Sequence, residues 1–365
     1  MRIKQKYSGI GGQAILEGIM MKNRDSYACA VRKPDGSIAT ERQKYAGMSE
    51  RYRFCGLPLV RGVFAFADSM VLGMRSLNWS ASVYAEGAEE EEESSGLEQW
   101  LSRTFGEKAE SVIMSAVMGL SFLAAIGIFM LLPMGLAVLL RRVLAGDALI
   151  AFLEGVLRIL IFICYIRLIS RMEDIRRTFM YHGAEHKCIN CVERGLPLTV
   201  ENVMKSSREH KRCGTSFILI VMMISILFFM VIHTDTLLMR AVSRVLLIPV
   251  IAGVSYELLR WTGTHDSCLV NALSRPGMWM QGLTTREPTP DMAEVAICAV
   301  EAVFDWRAYL KENFNWEEIQ EEAVDAAAVQ AAGGQSDNAR AEGAHMEAAA
   351  QTKRMQMNAA TQVEP

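Results

Sequence analysis

Four apolar runs between residues 112 and 258 restrict what this chain can fold into. Each run has 18 to 22 residues, and an α-helix of about 20 residues crosses a hydrocarbon core of about 30 Å. The pattern predicts a mainly α-helical, polytopic membrane protein with about four transmembrane helices and a small N-terminal α+β segment. The runs cover residues 112–132, 148–169, 215–232 and 241–258, and Arg244 and Pro249 interrupt the last one.

Polar and compositionally biased segments divide the rest of the chain. The five glutamates at 89–93 repel one another and predict a solvated linker, and the Ala-, Gln- and Gly-rich end predicts a disordered tail. We expect an N-terminal cytoplasmic or interfacial α+β segment (1–85), an acidic linker and pre-membrane helix (86–111), a first transmembrane pair (112–169), a cytoplasmic loop (170–213), a second transmembrane pair (214–258), a C-terminal cytoplasmic or interfacial segment (259–316) and the disordered tail (317–365).

A β-hairpin is predicted in the N-terminal segment. The turn at residues 33–36 has Pro second and Gly fourth, as a type I turn prefers, so residues 27–32 and 37–42 are expected to pair as strands. Upstream, Glu17 lies alone in an apolar, Gly-rich stretch. It is either a buried functional carboxylate or a turn residue bonded to backbone.

Charged residues within apolar helices are a second group of candidates. Residues 57–74 have helical spacing, but Arg61 and Asp68 interrupt the apolar positions, which favours a helix in the membrane interface over a span. Glu154 and Arg158 lie inside the second apolar run at i and i+4, where they can pair along one helix. This pair is either part of a substrate or ion path or a structural pair facing the bundle interior.

Lysine and arginine set the expected orientation. Nine of them lie in the 170–213 loop, which should therefore be cytoplasmic, and an even number of spans places both termini on the same side. Arg141 and Arg142, in the first connection, argue weakly against this. The net charge of −3 gives no reason to expect nucleic-acid binding. The lipid bilayer is the expected partner, and the sequence names no protein partner.

The same loop contains the pattern H-x-x-E-H, formed by His182, Glu185 and His186. On a helix the two imidazoles project from one face, with the carboxylate beside them. This is the inverted zincin arrangement, in which two His bind a metal and the Glu activates a water molecule. The alternative is a polar helix end whose side chains contact water or lipid headgroups.

Further metal-capable side chains follow in the loop. His210 and Cys213, at the entry to the third span, could supply a third and a fourth ligand. A helix is predicted over residues 200–210, with Thr199 as its N-cap. Cys188 and Cys191 form a C-x-x-C that suits zinc or a dithiol.

Ordered motifs along the chain resemble those of a known family. They begin with Gly12-Gln13-Ala14 and Glu17-Gly18-Ile19-Met20-Met21, and continue with Leu59-Val60-Arg61-Gly62-Val63, His182-Gly183-Ala184-Glu185-His186-Lys187, Arg212-Cys213-Gly214-Thr215-Ser216-Phe217, Tyr256-Glu257-Leu258 and Leu283-Thr284-Thr285-Arg286-Glu287-Pro288. The series resembles the YqhQ-type bacterial membrane proteins, a domain of unknown function sometimes described as a predicted metal-dependent enzyme. The resemblance implies a multi-pass protein of the bacterial plasma membrane and adds Glu257 to the candidate functional residues.

Two hypotheses of function follow. In the first, the chain is a hydrolase-like, metal-dependent membrane enzyme with Glu185 as the general base and a divalent metal, zinc by preference, on His182, His186, His210 and Cys213. In the second, it is a non-enzymatic membrane scaffold or transporter accessory with a structural metal or none. Whether the chain is an enzyme at all is left open by the sequence.

Overall fold

The computed structural model describes residues 5–85, 109–140, 142–144, 146–232, 236–265 and 267–314. The chain divides into two units, Met1–Trp306 and Arg307–Pro365, and the second is described only as far as residue 314. The predicted acidic linker, up to residue 108, and the predicted disordered tail lie outside the described residues. The prediction of a mainly α-helical chain with four long apolar helices and a small N-terminal sheet is confirmed.

Four antiparallel strands begin the fold, and they pair in chain order. The predicted hairpin is confirmed, and the Gly36 N–H donates to the Lys33 carbonyl in its turn. The Gly-rich stretch before it, where no strand is predicted, forms two more strands. One reason is Gly18, where an added Cβ would lie 2.2 Å from the carbonyl oxygen of Ala30. The strands are β1 Gly11–Ile15, β2 Gly18–Asn23, β3 Ser26–Arg32 and β4 Ile38–Lys44.

One face of the sheet is covered by a long helix. After α1 (Met48–Arg51) and a 3₁₀ turn (Arg53–Gly56), α2 runs from Val60 to Ala85 and packs Leu72 and Val83 against the sheet. Asp68, which interrupts the apolar pattern, is buried and accepts hydrogen bonds from Tyr45 and the Met48 N–H. The helix predicted at 57–74 is thus confirmed and longer than expected. It falls outside the set of described helices that could cross a membrane.

Ten further helices follow in the described part of the chain. Residues 119–140, 147–169, 214–231 and 238–263 form helices long and apolar enough to cross a membrane, one for each of the four predicted spans and with shifted ends. The first continues past residue 132, where it was expected to end, because a π-helical turn at Gly127–Leu131 precedes Pro133 and accommodates its missing N–H. The helices are α3 Ala109–Ile126, α4 Leu132–Leu140, α5 Asp147–Ile169, α6 Glu173–Glu193, α7 Val200–Lys205, α8 Gly214–Val231, α9 Leu237–Thr264, α10 Cys268–Thr284, α11 Pro290–Val303 and α12 Trp306–Asn313.

The sheet, α6, α7 and α11 form one body, which we call the polar body. The sheet face opposite α2 packs against α6 and α11, and Ile19 and Met21 are fully buried there. Because the sheet and α11 both contact α6, the segments before the first apolar helix and after the last one pack against the segment between the second and third apolar helices.

Three predicted boundaries are wrong. The helix predicted over 200–210 has its Thr199 cap, but it ends at Lys205. Pro290 at the first helical position and Asp291 in the first turn predict a helix through Trp306. It ends at Val303, because Phe304 adopts an extended conformation and α12 begins two residues later. The sequence also predicts a loop with an interfacial Trp and Met anchor at residues 276–281, but these residues belong to α10, whose N-terminus Ser267 caps.

Candidate metal centre

The H-x-x-E-H motif lies in the C-terminal half of α6, and this half is buried. All residues from 183 to 193 are buried, and only His182 has a partly exposed side chain, at 13%. An added Cβ at Gly183 would lie 2.1 Å from the carbonyl oxygen of Arg286, so only glycine lets the chain after α10 pass this close. The alternative of a polar helix end facing water or lipid headgroups does not fit this burial.

The two imidazoles share one face of α6, as the i, i+4 spacing predicts. The ring centroids of His182 and His186 are 4.4 Å apart. Each Nδ1 lies against a backbone carbonyl, that of Thr284 at 2.9 Å and that of Arg208 at 2.6 Å. A carbonyl oxygen can only accept, so each Nδ1 donates and each Nε2 is directed away from these contacts.

Cys213 reaches this face from a non-helical segment that α6 itself holds in place. Lys187 and Asn190, one turn apart and both buried, donate to four carbonyl groups between residues 204 and 209. These bonds explain why α7 ends at Lys205, because the following carbonyls turn toward α6 instead of continuing a helix. The acceptors are the carbonyl oxygens of Met204, Ser206, Ser207 and Glu209.

A buried glutamine on α10 fixes the same segment from the other side. The Gln281 side chain accepts from the His210 N–H at 2.8 Å and donates to the His210 carbonyl at 2.6 Å and the Ser216 hydroxyl at 2.9 Å. Cys213 lies between these two contact points and is the N-cap residue of α8. Its position is therefore set by bonds on both flanks.

The three side chains converge on one point. His182 Nε2 lies 3.2 Å from Cys213 Sγ, and donor atoms of His182, His186 and Cys213 all lie within 4.8 Å of one another. Two imidazoles and a thiol, each His oriented by a carbonyl on its other nitrogen, form a donor set typical of zinc sites. These residues could hold a metal ion.

Electrostatics favour the thiolate form that metals bind. Burial disfavours the charged thiolate, but the two imidazoles outweigh it and hold the pKa of Cys213 well below its ordinary value. Burial likewise lowers the pKa of His182, but the Cys213 thiolate and the Glu185 carboxylate outweigh this and raise it to about 9. When no metal is bound, both shifts favour a thiolate–imidazolium pair.

Glu185 is placed beside the converging donors. One carboxylate oxygen lies 4.0 Å from His182 Nε2, and the side chain is 6% exposed. Gly12 of β1 covers it, since an added Cβ there would lie 3.0 Å from Glu185 Cγ. The sheet thus closes one side of the centre.

His210, predicted as a ligand, is directed to another partner. Its ring centroid lies 5.8 Å from that of His186, but its Nε2 lies 3.5 Å from a carboxylate oxygen of Glu193. Arg212 also binds this carboxylate, and Ser8 donates to it at 2.9 and 3.0 Å. Burial would raise the pKa of Glu193, but its bonds to His210 and Arg212 lower it to about 2. This cluster fastens the N-terminal segment to the end of α6.

The C-x-x-C thiols are buried away from the three donors. Cys191 Sγ lies 3.3 Å from the Pro197 carbonyl oxygen, and burial raises its pKa to about 12. Burial also raises the pKa of Cys188 well above its ordinary value. Both are free cysteines and favour the neutral thiol, which is the poorer metal ligand.

The other candidate residues form ion pairs at three separate places. Glu17 binds Arg177 in two bonds of 2.5 Å. Arg61 and Glu257, proposed separately, pair with each other at 2.5 and 2.7 Å where α2 meets α9. Glu154 and Arg158 pair as predicted, at 3.3 Å, but Glu154 also binds Arg244. The structure does not bring these residues to the metal centre.

Sequence reasoning missed the residues that support the centre. Lys187 and Asn190 lie on α6 near the motif. Two polar residues one turn apart on a helix with many apolar neighbours are the signal that could have revealed them. Gln281 and Thr284 lie far along the chain. Gln281 binds the backbone of His210, and Thr284 offers its backbone carbonyl to His182, and no spacing rule predicts such contacts.

Comparison with known proteins gives the family. Residues 57–306 match the family described as Protein of unknown function (DUF1385). The chain is 38% identical over 296 residues to the uncharacterized protein YqhQ of Bacillus subtilis (strain 168), covering 79% of this chain and 89% of the relative. No solved structure matches it. The resemblance drawn from the sequence motifs is thereby confirmed, and the chain belongs to the DUF1385 family of YqhQ-type proteins, whose function is unknown.

Proposed function

We propose that this protein is a metal-dependent, hydrolase-like membrane enzyme whose site holds a divalent cation, zinc by preference, between His182, His186 and Cys213. The observation that carries the proposal is the convergence of these three donors within 4.8 Å. Catalytic zinc sites commonly use three protein ligands and keep a fourth position open. His210 is left out of the ligand set because Glu193 engages its Nε2.

The orientation of the two imidazoles and the ionisation of the thiol support metal binding over accidental proximity. Nδ1 of each histidine faces a carbonyl oxygen at hydrogen-bonding distance, which directs Nε2 to the shared point without further rearrangement. The low pKa of Cys213 supplies the thiolate form. Rigid support of this kind is what a metal site requires.

Glu185 is the proposed general base. Its carboxylate lies beside His182 and within the same buried space, so it can accept a proton from a water molecule there. A bound metal would supply Lewis-acid polarisation of the substrate and of that water. His182 has the most exposed of these side chains, at 13%, and marks the side from which a substrate would approach.

We place the centre at the cytoplasmic face of a bacterial plasma membrane. Cys213 immediately precedes α8, so the centre lies at the end of a span. The basic residues of the 170–213 segment favour the cytoplasmic side for the polar body and for both termini. The bilayer is the proposed partner of the four apolar helices.

Elemental analysis of the purified full-length protein tests metal binding. We expect near-stoichiometric zinc, iron or manganese in the wild type and its loss in the His182→Ala/His186→Ala variant. His265→Ala, which removes an exposed histidine elsewhere, is the matched control and should keep the metal. Absence of metal in the wild type after reconstitution would overturn the proposal.

Glu185→Gln separates catalysis from binding. It should retain the metal, because Glu185 is not in the proposed ligand set, while turnover of hydrolase substrates is abolished. An active Glu185→Gln protein would show that this carboxylate is not the base.

A structural metal in a non-enzymatic scaffold is the second candidate, and the burial of the centre favours it. His186 and Glu185 are 1% and 4% exposed, and closed sites are typical of structural zinc. Cobalt substitution distinguishes the two candidates. A visible spectrum that changes on adding azide indicates an open position, whereas an unresponsive tetrahedral spectrum indicates a structural site.

A further inference from the structure

A second group of buried charged residues lies within the apolar helices, far from the metal centre. We call Glu154 and Arg158 of α5 and Arg244 of α9 the intramembrane cluster. Arg244 binds both carboxylate oxygens of Glu154, one of them at 2.7 Å, and Arg158 donates to the same carboxylate at 3.3 Å. Glu154 and Arg244 are 2% and 5% exposed.

The cluster carries a net charge of +1, because two arginines share one glutamate. Two guanidinium groups face a single carboxylate, and arginine keeps its charge in proteins. Of the other acidic residues in the four apolar windows, Glu257 pairs with Arg61. Asp147 lies two turns before Glu154 on α5, about 10 Å along the axis. Neither neutralises Arg158.

The excess charge lies deep in the apolar region. Arg158 is eleven residues from the start of α5, about 16 Å along the helix, and Arg244 is seven residues from the start of α9, about 10 Å. A hydrocarbon core is about 30 Å thick, so Arg158 lies near its middle. An uncompensated charge at this depth is costly, which favours capture of a counter-anion.

Arg158 has one hydrogen-bond donor that the other members of the cluster do not use. Its other contact is to the Ser225 hydroxyl at 3.2 Å. Its Nε is buried with no hydrogen-bond partner among the described residues. The ring of Phe229 covers both guanidinium groups, with its centroid 5.4 Å from Arg158 and 4.7 Å from Arg244. The Nε–H of Arg158 is therefore a buried donor that no described residue uses.

The surrounding helices hold this arrangement rigidly. Gly155, next to Glu154, lets α5 approach α8 so closely that an added Cβ would lie 2.2 Å from a side-chain carbon of Ile226. This contact brings Ser225 and Phe229 of α8 against the arginines. The donors are thus fixed before any ligand arrives.

We propose that the intramembrane cluster binds an oxyanion with a single negative charge at the unused Nε–H of Arg158. Guanidinium groups bind phosphate and carboxylate oxygens, and one such anion makes the cluster neutral. The anion has two sources of the same chemistry. It is the phosphodiester of an anionic lipid, entering from the bilayer, or free phosphate, entering from the aqueous side.

Thermal unfolding of the delipidated full-length protein in a neutral detergent tests the proposal. Phosphatidylglycerol, phosphatidylcholine and inorganic phosphate are added separately. A ligand at about 100 times its dissociation constant should raise the unfolding midpoint by about 5 °C. A rise with phosphatidylglycerol alone identifies a lipid, and a rise with phosphate as well identifies a free anion. No rise with either overturns the proposal.

Variants separate a binding site from a structural ion pair. Arg158→Met leaves the balanced Glu154–Arg244 pair, so this protein should fold and lose the anion-dependent rise. Arg158→Lys keeps the charge and should retain part of the rise. Arg167→Met, on the same helix outside the cluster, is the matched control and should retain all of it. If Arg158→Met responds like the wild type, the anion binds elsewhere and the proposal fails.

Discussion

The metal centre and the intramembrane cluster both bury ionisable side chains, but different forces stabilise them. At the metal centre, backbone carbonyl groups orient both imidazoles, and Lys187, Asn190 and Gln281 fix the segment that carries Cys213. In the intramembrane cluster, two arginines share one carboxylate. The first arrangement depends on the path of the backbone and the second on charge.

This difference indicates which substitutions should damage each region. A change that displaces backbone without altering charge should harm the metal centre, because its donors are positioned by carbonyl groups. A change of charge without a change of shape should harm the cluster, because few other bonds hold its arginines in an apolar surrounding.

The largest effect is expected from removing the shared carboxylate. Glu154→Ala leaves two buried guanidinium groups without an anion and should destabilise the protein by about 3–5 kcal/mol. Denaturant unfolding in detergent measures this. Arg158→Met, which leaves one cation with one anion, should cost clearly less. Equal losses from both would mean that packing, and not charge, stabilises the cluster.

The second largest effect is expected at Glu193, a carboxylate of the polar body, whose contribution to stability depends on pH. The pKa of Glu193 is lowered to about 2 in the folded protein from an ordinary 4.5, so its ionised form stabilises the fold above pH 4.5. This contribution, on the order of 3 kcal/mol, is lost as the pH falls toward 2. The difference in unfolding midpoint between wild type and Glu193→Gln should therefore shrink from pH 7 to pH 3. A constant difference would count against the depressed pKa.

Gly183→Ala tests the dependence of the metal centre on backbone path. The added Cβ would lie 2.1 Å from the Arg286 carbonyl oxygen and push away the segment after Thr284, which orients His182. We expect a loss of about 1–3 kcal/mol and weaker metal binding. Gly282→Ala, where an added Cβ meets nothing within 4 Å, is the control and should be harmless. Full metal affinity in Gly183→Ala would show that the Thr284 contact is dispensable.

The smallest effect is expected at the cap of α7. The Thr199 hydroxyl accepts from the Asn202 N–H, and Thr199→Ala should cost about 1 kcal/mol. Metal content should not change, because Lys187 and Asn190 hold the following segment independently. Loss of metal from this variant would mean that α7 itself positions Cys213.

Much of the fold follows from local pattern, but the support of the site does not. Helical spacing places His182, Glu185 and His186 together, and the apolar runs predict the spans, because both depend only on neighbours along the chain. The predicted helix over 200–210 was too long for the opposite reason. Its last turns are prevented by Lys187 and Asn190, whose partners are set by tertiary contacts.

Pairings between distant helices show the same limit. The i, i+4 relation predicts the Glu154–Arg158 pair, yet the stronger partner, Arg244, lies on another span and looked in sequence like a mere interruption of it. Arg61 and Glu257 are separate candidates in the sequence, and only the packing of α2 on α9 shows that they pair with each other.

The sequence by itself determined the four apolar helices, the β3–β4 hairpin and the shared face of the H-x-x-E-H residues, because hydrophobic periodicity and turn chemistry are local. Only the tertiary structure decided that this face is buried, that Cys213 rather than His210 completes the group of donors, and that an arginine pair shares one carboxylate. These outcomes depend on which backbone groups and charges meet across the fold, and no spacing along the chain contains that information.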